Sequence, residues 1–265
     1  MTEIQIKRAV KAGNSSAVIL PRSWLDKDVR IELAKKSHET MLIEVIKILN
    51  TRFASEKIIG IYLVGSYARK EETEDSDIDV LVITDDIDMK MIKEGIYNIT
   101  VISLELLKQK LEQDLLPVGQ MVREANPLIN SKLISSLEIK VTKKNIKWYL
   151  DTTEDKLTII KGVLDIAKRK NKANLGDAVV YTLVLRARTL HIIKKLIKNE
   201  AYSKREFVGL IRSVSGGNSA YDSYVNYKNN LDERNETTIE EAEGLYKYLK
   251  DELEKVKKLV ASFKK

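Results

Sequence analysis

Ile61-Tyr-Leu-Val-Gly-Ser-Tyr-Ala-Arg-Lys-Glu-Glu-Thr-Glu-Asp-Ser-Asp-Ile-Asp-Val-Leu-Val-Ile83 joins two apolar runs through a polar loop. A strand buried on both faces reads as a near-continuous apolar run, and residues 58–64 and, apart from Asp79, 78–83 both read this way. A third run, 96–102, follows a polar connection. Strands of this type with helical patterns before and between them predict a small mixed sheet. After Pro127 no proline occurs, and from Asn145 onward the patterns are helical. The expected fold class is therefore α+β: a small mixed-sheet domain with an N-terminal β arm and a C-terminal all-α helical bundle. The expected boundaries are 1–35 for the arm, 36–140 for the sheet domain and 141–265 for the bundle, with a ligand cleft between the last two.

The chemistry is concentrated in the loop between the first two runs. Gly65 ends a strand, and without a Cβ it lets backbone N–H groups approach an anion, with the Ser66 hydroxyl beside them. The residues after Ser66 are helical in composition as far as Asp75-Ser76, and a helix starting at Gly65 would aim its N-terminal N–H groups at the same anion. Asp77 and Asp79 are two apart at a strand start, so both carboxylates lie on one face. Paired carboxylates repel unless a cation joins them, and an all-oxygen set suits Mg²⁺, which also binds nucleotide phosphates. An isolated Asp-x-Asp is more often a solvated turn before a strand.

Here the pair is not isolated. Gly65-Ser66, ten intervening residues and Asp77-Ile78-Asp79 between apolar strands resemble the signature of the DNA polymerase beta-like nucleotidyltransferase superfamily. With Ala68-Arg69 and Ser76 to Val80 the likeness is to the small prokaryotic type, the MNT and kanamycin-nucleotidyltransferase relatives, over about 25 residues. The resemblance implies transfer of a nucleoside monophosphate from an NTP, with ATP the expected donor, to a hydroxyl or phosphate. It further implies Mg²⁺ held by Asp77 and Asp79, which would be both metal ligands and catalytic residues, with Gly65, Ser66 and Arg69 on the phosphates. Two departures stand out. Lys70 replaces a frequent glycine, and Thr100 is expected where the family sets a third carboxylate on the later strand, Tyr97 to Ser103. A threonine cannot act as a base at neutral pH, and the nearest downstream acid, Glu105, is expected to begin the next helix, beyond the site.

N-terminal to this core, short apolar runs (residues 4–6, 17–20 and 29–33) alternate with turn residues, including Lys11 to Asn14 and Asp26 to Asp28. Pro21 ends the second run because it cannot donate to a ladder. Residues 36–53 have the spacing of an amphipathic helix. The stretch from Lys7 to Trp24 resembles the N-terminal half of AbrB-like swapped-hairpin domains through Gly13-Asn14-Ser15, Val18 to Pro21 and Val29 to Leu33. That likeness implies DNA binding through Lys7, Arg8, Lys11 and Arg22, or dimerisation alone, and a homodimer in either case. From Lys7 to Lys36 eight basic residues face three acidic ones, a surface suited to phosphate contacts.

In the helical half, Asp151 to Glu154 and Thr238 to Glu241 both fit a capping box and predict helix starts. Leu245, Leu249, Leu253, Val256, Val260 and Phe263 form one apolar stripe. After the Ser215 to Ser219 loop, Tyr221, Tyr224 and Tyr227 fall near one helical face, as core packing or as a ligand surface. Leu185 to Lys194 resembles the HEPN-like helical domains that accompany such enzymes. Arg186 and His191 there have an Arg-x₄-His spacing, but Ala187 and the lack of a tyrosine two places after His191 depart from the ribonuclease pattern. His191 therefore reads as a partly buried helix residue.

Composition sets outer limits. With no cysteine and two histidines, thiolate metal sites and disulfides are excluded and zinc chemistry is disfavoured. Hydrophobic residues are 43% of the chain and charged residues 32%, the mix of a soluble globular protein; the Lys and Glu abundance also suits a thermophile. The net charge of +7 favours phosphate-bearing partners, or simply reflects a Lys/Glu surface. No apolar run reaches the ~18 residues of a membrane span, and the charged first turns resemble no signal peptide, so no membrane role and a cytoplasmic location are expected. The leading functional expectation is a Mg²⁺-dependent nucleotidyltransferase of unidentified acceptor. The alternative is a catalytically silent nucleotide-sensing or DNA-binding regulator, dimerised by its arm.

Overall fold

The apolar runs that bracket the polar loop are neighbouring strands in the computed structural model, which describes residues 5, 7, 9–31, 36–74, 76–231 and 237–263. The chain divides into two compact units, Met1–Glu44 and Val45–Lys265.

In the first unit, β1 (Val10–Ala12) and β2 (Ser15–Ala17) form an antiparallel hairpin, with Ala12 opposite Ser15. Gly13 opens the two-residue turn at φ 62°, a left-handed conformation that favours glycine. The expected strand over 17–20 ends at Ala17, and a 3₁₀ turn, Arg22–Trp24, follows Pro21. The expected strand over 29–33 is also absent at 29–31; Glu32 and Leu33 lie outside the described residues, as do Ile4 and Ile6 of the first run. Both hairpin strands are exposed along their length, and Ile19, Leu25 and Ile31 are exposed too. Apolar content alone does not hold a strand without a ladder partner or a buried face.

In the second unit, β3 (Ile58–Val64), β4 (Ile78–Thr84), β5 (Ile92–Glu94), β6 (Tyr97–Ser103) and β7 (Asn126–Ile129) form one mixed sheet in the order β5-β6-β4-β3-β7. β3 runs antiparallel to β4, and β6 parallel to it. The three expected strands are the central three. β5 and β7 are additions at the edges, where a strand of three residues and one carrying Pro127 can stand because one side needs no ladder. The second half of helix α1 (His38–Asn50) belongs to this unit and buries Val45 and Leu49.

Ser103 caps helix α3 (Leu104–Gln113), its Oγ accepting from the Leu106 N–H at 3.3 Å. After α4 (Leu116–Glu124) and α5 (Ser131–Ser136) come α6 (Lys143–Arg169), α7 (Asp177–Ile197), α8 (Lys204–Ser215), α9 (Ser219–Lys228) and α10 (Ile239–Ala261). Helix α6 begins eight residues before the expected Asp151. Thr142 and Asn145 form the capping box, and the buried Asn145 amide also donates to the carbonyls of Leu111 and Lys140, both at 2.8 Å. Asp151 instead pairs with Lys147 one turn earlier inside the helix. At α10 the expected Thr238–Glu241 box is present. Its stripe is buried from Leu245 to Val260, while Phe263 lies beyond the helix end and is exposed. A single buried cluster runs from Tyr62, Leu81, Ile83 and Ile102 of the sheet through Leu107 and Leu115 to Ile146, Val184 and Leu249, so sheet and helices share one core.

Candidate functional site

Val64, the last residue of β3, pairs with Asp79 on β4, so the chain turns directly beside the acidic strand. At Gly65 φ is 69°, and a Cβ there would lie 2.4 Å from Asp79 Oδ2. Glycine is thus required twice, by backbone conformation and by the close approach of a carboxylate. The helix that follows, α2 (Gly65–Arg69), is five residues long and does not continue to Asp75-Ser76 as its composition suggested. Lys70 ends it in the left-handed conformation, φ 57°, which favours a glycine at this position. The loop then closes through Thr73 and Ser76, whose Oγ accepts from the Thr73 N–H at 2.8 Å; Asp75 lies outside the described residues.

Asp77 and Asp79 do lie on one face, and the group that joins them comes from β6. Asn98 sits opposite Asp79 in the parallel register, and its amide nitrogen donates to Asp77 Oδ2 and to Asp79 Oδ1, each at 3.2 Å. Burial pushes the Asp79 carboxyl above its usual range; the Asn98 bond opposes this, the Asp77 charge adds to it, and Arg69 and Lys228 oppose it. Thr100 pairs with Leu81, two positions too far along to sit beside Asp79. The side chain facing the pair from the later strand is therefore the neutral amide of Asn98, not Thr100. Glu105 stands in the first turn of α3, beyond the opposite end of β6 and about 16 Å along the strand from Asn98 at ~3.3 Å per residue. Among the described residues no third His, Cys, Asp or Glu joins a metal-ligating group.

Arg69 is bound by protein carboxylates. Its Nε donates to Glu71 Oε2 at 2.9 Å, and its Nη1 to Glu124 Oε2 at 2.5 Å. Glu124, on α4, also accepts from the Gly65 N–H at 2.7 Å, and its side chain is 4% exposed. Glu71 carries the network to the start of α8, accepting from Ser203 Oγ at 2.6 Å and the Lys204 N–H at 3.0 Å. Burial pushes the Glu71 carboxyl up, but the bonds from Ser203, Arg69 and Lys204 outweigh it and hold the group down at about 2. Two of the three groups expected on phosphate, the Gly65 N–H and Arg69, thus hold Glu124. The Ser66 hydroxyl, in contrast, has no hydrogen-bond partner among the described residues.

Across the turn, the helices present aromatic and basic side chains. Tyr202 lies 5.3 Å beneath the Arg69 guanidinium and 5.2 Å beneath that of Arg188, on α7. Of the three tyrosines of α9, Tyr224 is buried and stacks on Tyr181 at 5.4 Å, Tyr221 meets Tyr224 at 5.8 Å, and Tyr227 is exposed against Tyr181 at 4.9 Å. Sequence reading missed Asn98, Glu71, Glu124 and Arg188. A period-two count from Asp79 onto the next strand could have found Asn98 only with the register known.

Arg186 and His191 face different neighbours. Arg186 donates to Thr152 Oγ1 of α6 at 2.9 Å, whereas His191 is buried against Tyr202 and Phe207. In the N-terminal unit Lys7, Lys11 and Arg22 are exposed, and Arg8 lies outside the described residues.

Residues 42–149 match the family model of the nucleotidyltransferase domain, a segment that holds the whole five-stranded sheet. No curated protein matches the chain. Among solved structures, a nucleotidyltransferase-like protein from Exiguobacterium sibiricum is 15% identical, with 81% of this chain and 75% of that one covered and a TM-score of 0.37. Spectinomycin adenyltransferase AAD(9) from Enterococcus faecialis, solved with ATP and spectinomycin, is 15% identical over 82% of this chain and 99% of its own, with a TM-score of 0.42. A toxin-antitoxin solved with AMP-PNP is 19% identical over 46% of this chain and 96% of its own, with a TM-score of 0.24.

Proposed function

We propose that the second unit binds a nucleoside triphosphate, ATP in the first instance, at the Gly65-Ser66 turn and transfers its nucleotidyl group to a hydroxyl or phosphate acceptor. The observation that carries this reading is the convergence of Asp77 and Asp79 beside that turn, with one amide nitrogen 3.2 Å from an oxygen of each. Two carboxylates that meet around a single positively polarised group fit a hard, oxygen-loving cation such as Mg²⁺. Bound there with triphosphate oxygens, Mg²⁺ would supply charge neutralisation at the reacting phosphate and orient it. The residues of this chain do the rest: the Ser66 hydroxyl, without a hydrogen-bond partner among the described residues, donates to a phosphate oxygen, and the absent Cβ of Gly65 leaves room for Asp79 next to it. Arg69 reaches a phosphate only by exchanging Glu124 for it; with Glu124 in place it holds the turn.

Asn98 favours a second reading, a nucleotide-sensing or DNA-binding regulator without turnover. An amide cannot take a proton from an acceptor hydroxyl at neutral pH, and it lowers the negative charge available to a second cation. The exposed Ile19, Leu25 and Ile31 of the first unit suit a homodimerisation arm, and exposed Lys7, Lys11 and Arg22 suit a phosphate backbone. Within this proposal the arm is residues 1–35, the nucleotidyltransferase segment 36–140 and the acceptor-binding bundle 141–265, working in the cytoplasm.

Titration calorimetry of the four NTPs with and without Mg²⁺, on wild type and Asp77→Ala/Asp79→Ala, tests the binding step. A pyrophosphate-release assay on wild type and Asn98→Asp then separates the readings. Turnover by wild type supports the enzyme; turnover only after Asn98→Asp supports the silent regulator. DNA retention that falls steeply with salt and is lost in Lys11→Ala/Arg22→Ala would assign the arm to DNA. No binding of any NTP by wild type would sink the proposal.

A further inference from the structure

Several partly buried cations of this unit have a carboxylate. Arg69 has Glu71 and Glu124, Lys194 has Glu252, and Lys195 has Glu200 and Glu206. Arg188 has none: no ion pair involves it among the described residues. Its guanidinium is partly buried on α7 and stacked on Tyr202 at 5.2 Å, with the phenols of Tyr202 and Tyr224 close enough to act on its charge. Arg186 and Arg123 also lack a carboxylate among the described residues, but Arg186 faces α6, with Thr152 and the ring of Trp148, and Arg123 lines a cavity with Ile134 and Leu137. An enclosed charge without a counter-ion is costly unless an anion completes it. The phenols of Tyr202 and Tyr224 carry O–H groups able to donate to an incoming oxygen. Tyr202 is shared with Arg69, which fixes Arg188 on the side of α2, and Lys228 at the end of α9 acts electrostatically on Asp79. A planar guanidinium flanked by hydroxyl donors matches the bidentate geometry of a phosphate oxygen pair.

We propose that Arg188, with the hydroxyls of Tyr202 and Tyr224, is a phosphate-binding subsite contributed by the helical region, facing the Gly65-Ser66 turn. It deepens the nucleotidyltransferase reading: the phosphate is either the tail of the donor NTP or a group on a phosphorylated acceptor. In both cases the surface selects an anion and disfavours a cationic acceptor.

The test uses the full chain and three probes: inorganic tripolyphosphate, ATP, and inorganic phosphate added to ATP-saturated protein. Arg188→Gln is expected to weaken at least one by tenfold or more, and Arg188→Lys to retain part of the affinity. Loss for tripolyphosphate and ATP together assigns the donor tail; loss confined to phosphate on the ATP complex assigns the acceptor. If Arg188→Gln misfolds, Tyr202→Phe/Tyr224→Phe keeps the rings and removes the hydroxyls, with a threefold or larger loss expected. Binding of all three probes within twofold of wild type in a folded variant overturns the subsite. Failure of the nucleotide reading is distinct: tripolyphosphate would still bind in an Arg188-dependent way, while ATP binding would show no dependence on Mg²⁺ or on Asp77 and Asp79. Wild type binding none of the probes overturns both.

Discussion

Gly65→Ala is the most informative single substitution. The added methyl carbon would stand 2.4 Å from Asp79 Oδ2 and 3.1 Å from its Cβ and Cγ, with φ held at 69°. Left-handed backbone costs a residue with a Cβ about 1–2 kcal/mol, and forcing a carbon into an occupied site adds about 1–3 kcal/mol. The expected loss is therefore about 3 kcal/mol, or roughly 6–12 °C in Tm for a unit of this size. Urea unfolding measures it directly. Asp79→Ala in the same chain removes the clash but not the backbone term, so the double variant should recover about 1–2 kcal/mol, a coupling typical of residues in contact. Because Asp79 must move to admit the methyl, Mg²⁺-dependent ATP binding should fall more than stability does. A Gly65→Ala protein within about 0.5 kcal/mol of wild type, or one additive with Asp79→Ala, would refute the claim that the carboxylate and the turn are fitted to each other.

Glu124→Ala leaves Arg69 Nη1 and the Gly65 N–H without their acceptor in a region where the glutamate side chain is 4% exposed, while Glu71 still pairs with Arg69 Nε, and a loss of about 1–3 kcal/mol in urea unfolding is expected; a loss below about 0.5 would mean the pair is dispensable. The Glu71 carboxyl, held at about 2 against an ordinary 4.5, contributes stability that is present above pH 4.5 and lost as pH falls toward 2. Glu71→Gln should flatten the stability profile across that window, and an unchanged acid limb argues against the Ser203 bond. Burial lowers the His191 imidazole below its ordinary 6.5, so the unfolded chain takes up a proton that the folded one resists, and stability falls as pH drops through 6.5. His191→Phe should remove that slope in thermal melts between pH 7 and 5; persistence of the slope would place its origin elsewhere.

The central architecture is legible in the sequence because it depends on local patterning. Two apolar runs, broken only by Asp79 near the start of the second, name β3 and β4, and the period of two puts Asp77 and Asp79 on one face whatever lies around them. Thr238 and Glu241 cap α10 because both ends of the box fall within one turn. Local patterning misleads where a neighbour is needed: the 17–20 run finds no ladder, and Asp151 is an interior helix residue because Asn145 has buried carbonyls to satisfy. Only the tertiary structure decides which side chain of β6 meets the aspartates, since a shift of two residues in register exchanges Asn98 for Thr100. It alone joins Arg69 to Glu124 across 55 residues and Ser203 to Glu71 across 132, and sets Arg188 against tyrosines where Arg69, Lys194 and Lys195 find carboxylates. Strand identity is set by residues in contact along the chain, but the electrostatics of the site are set by residues that only packing brings together.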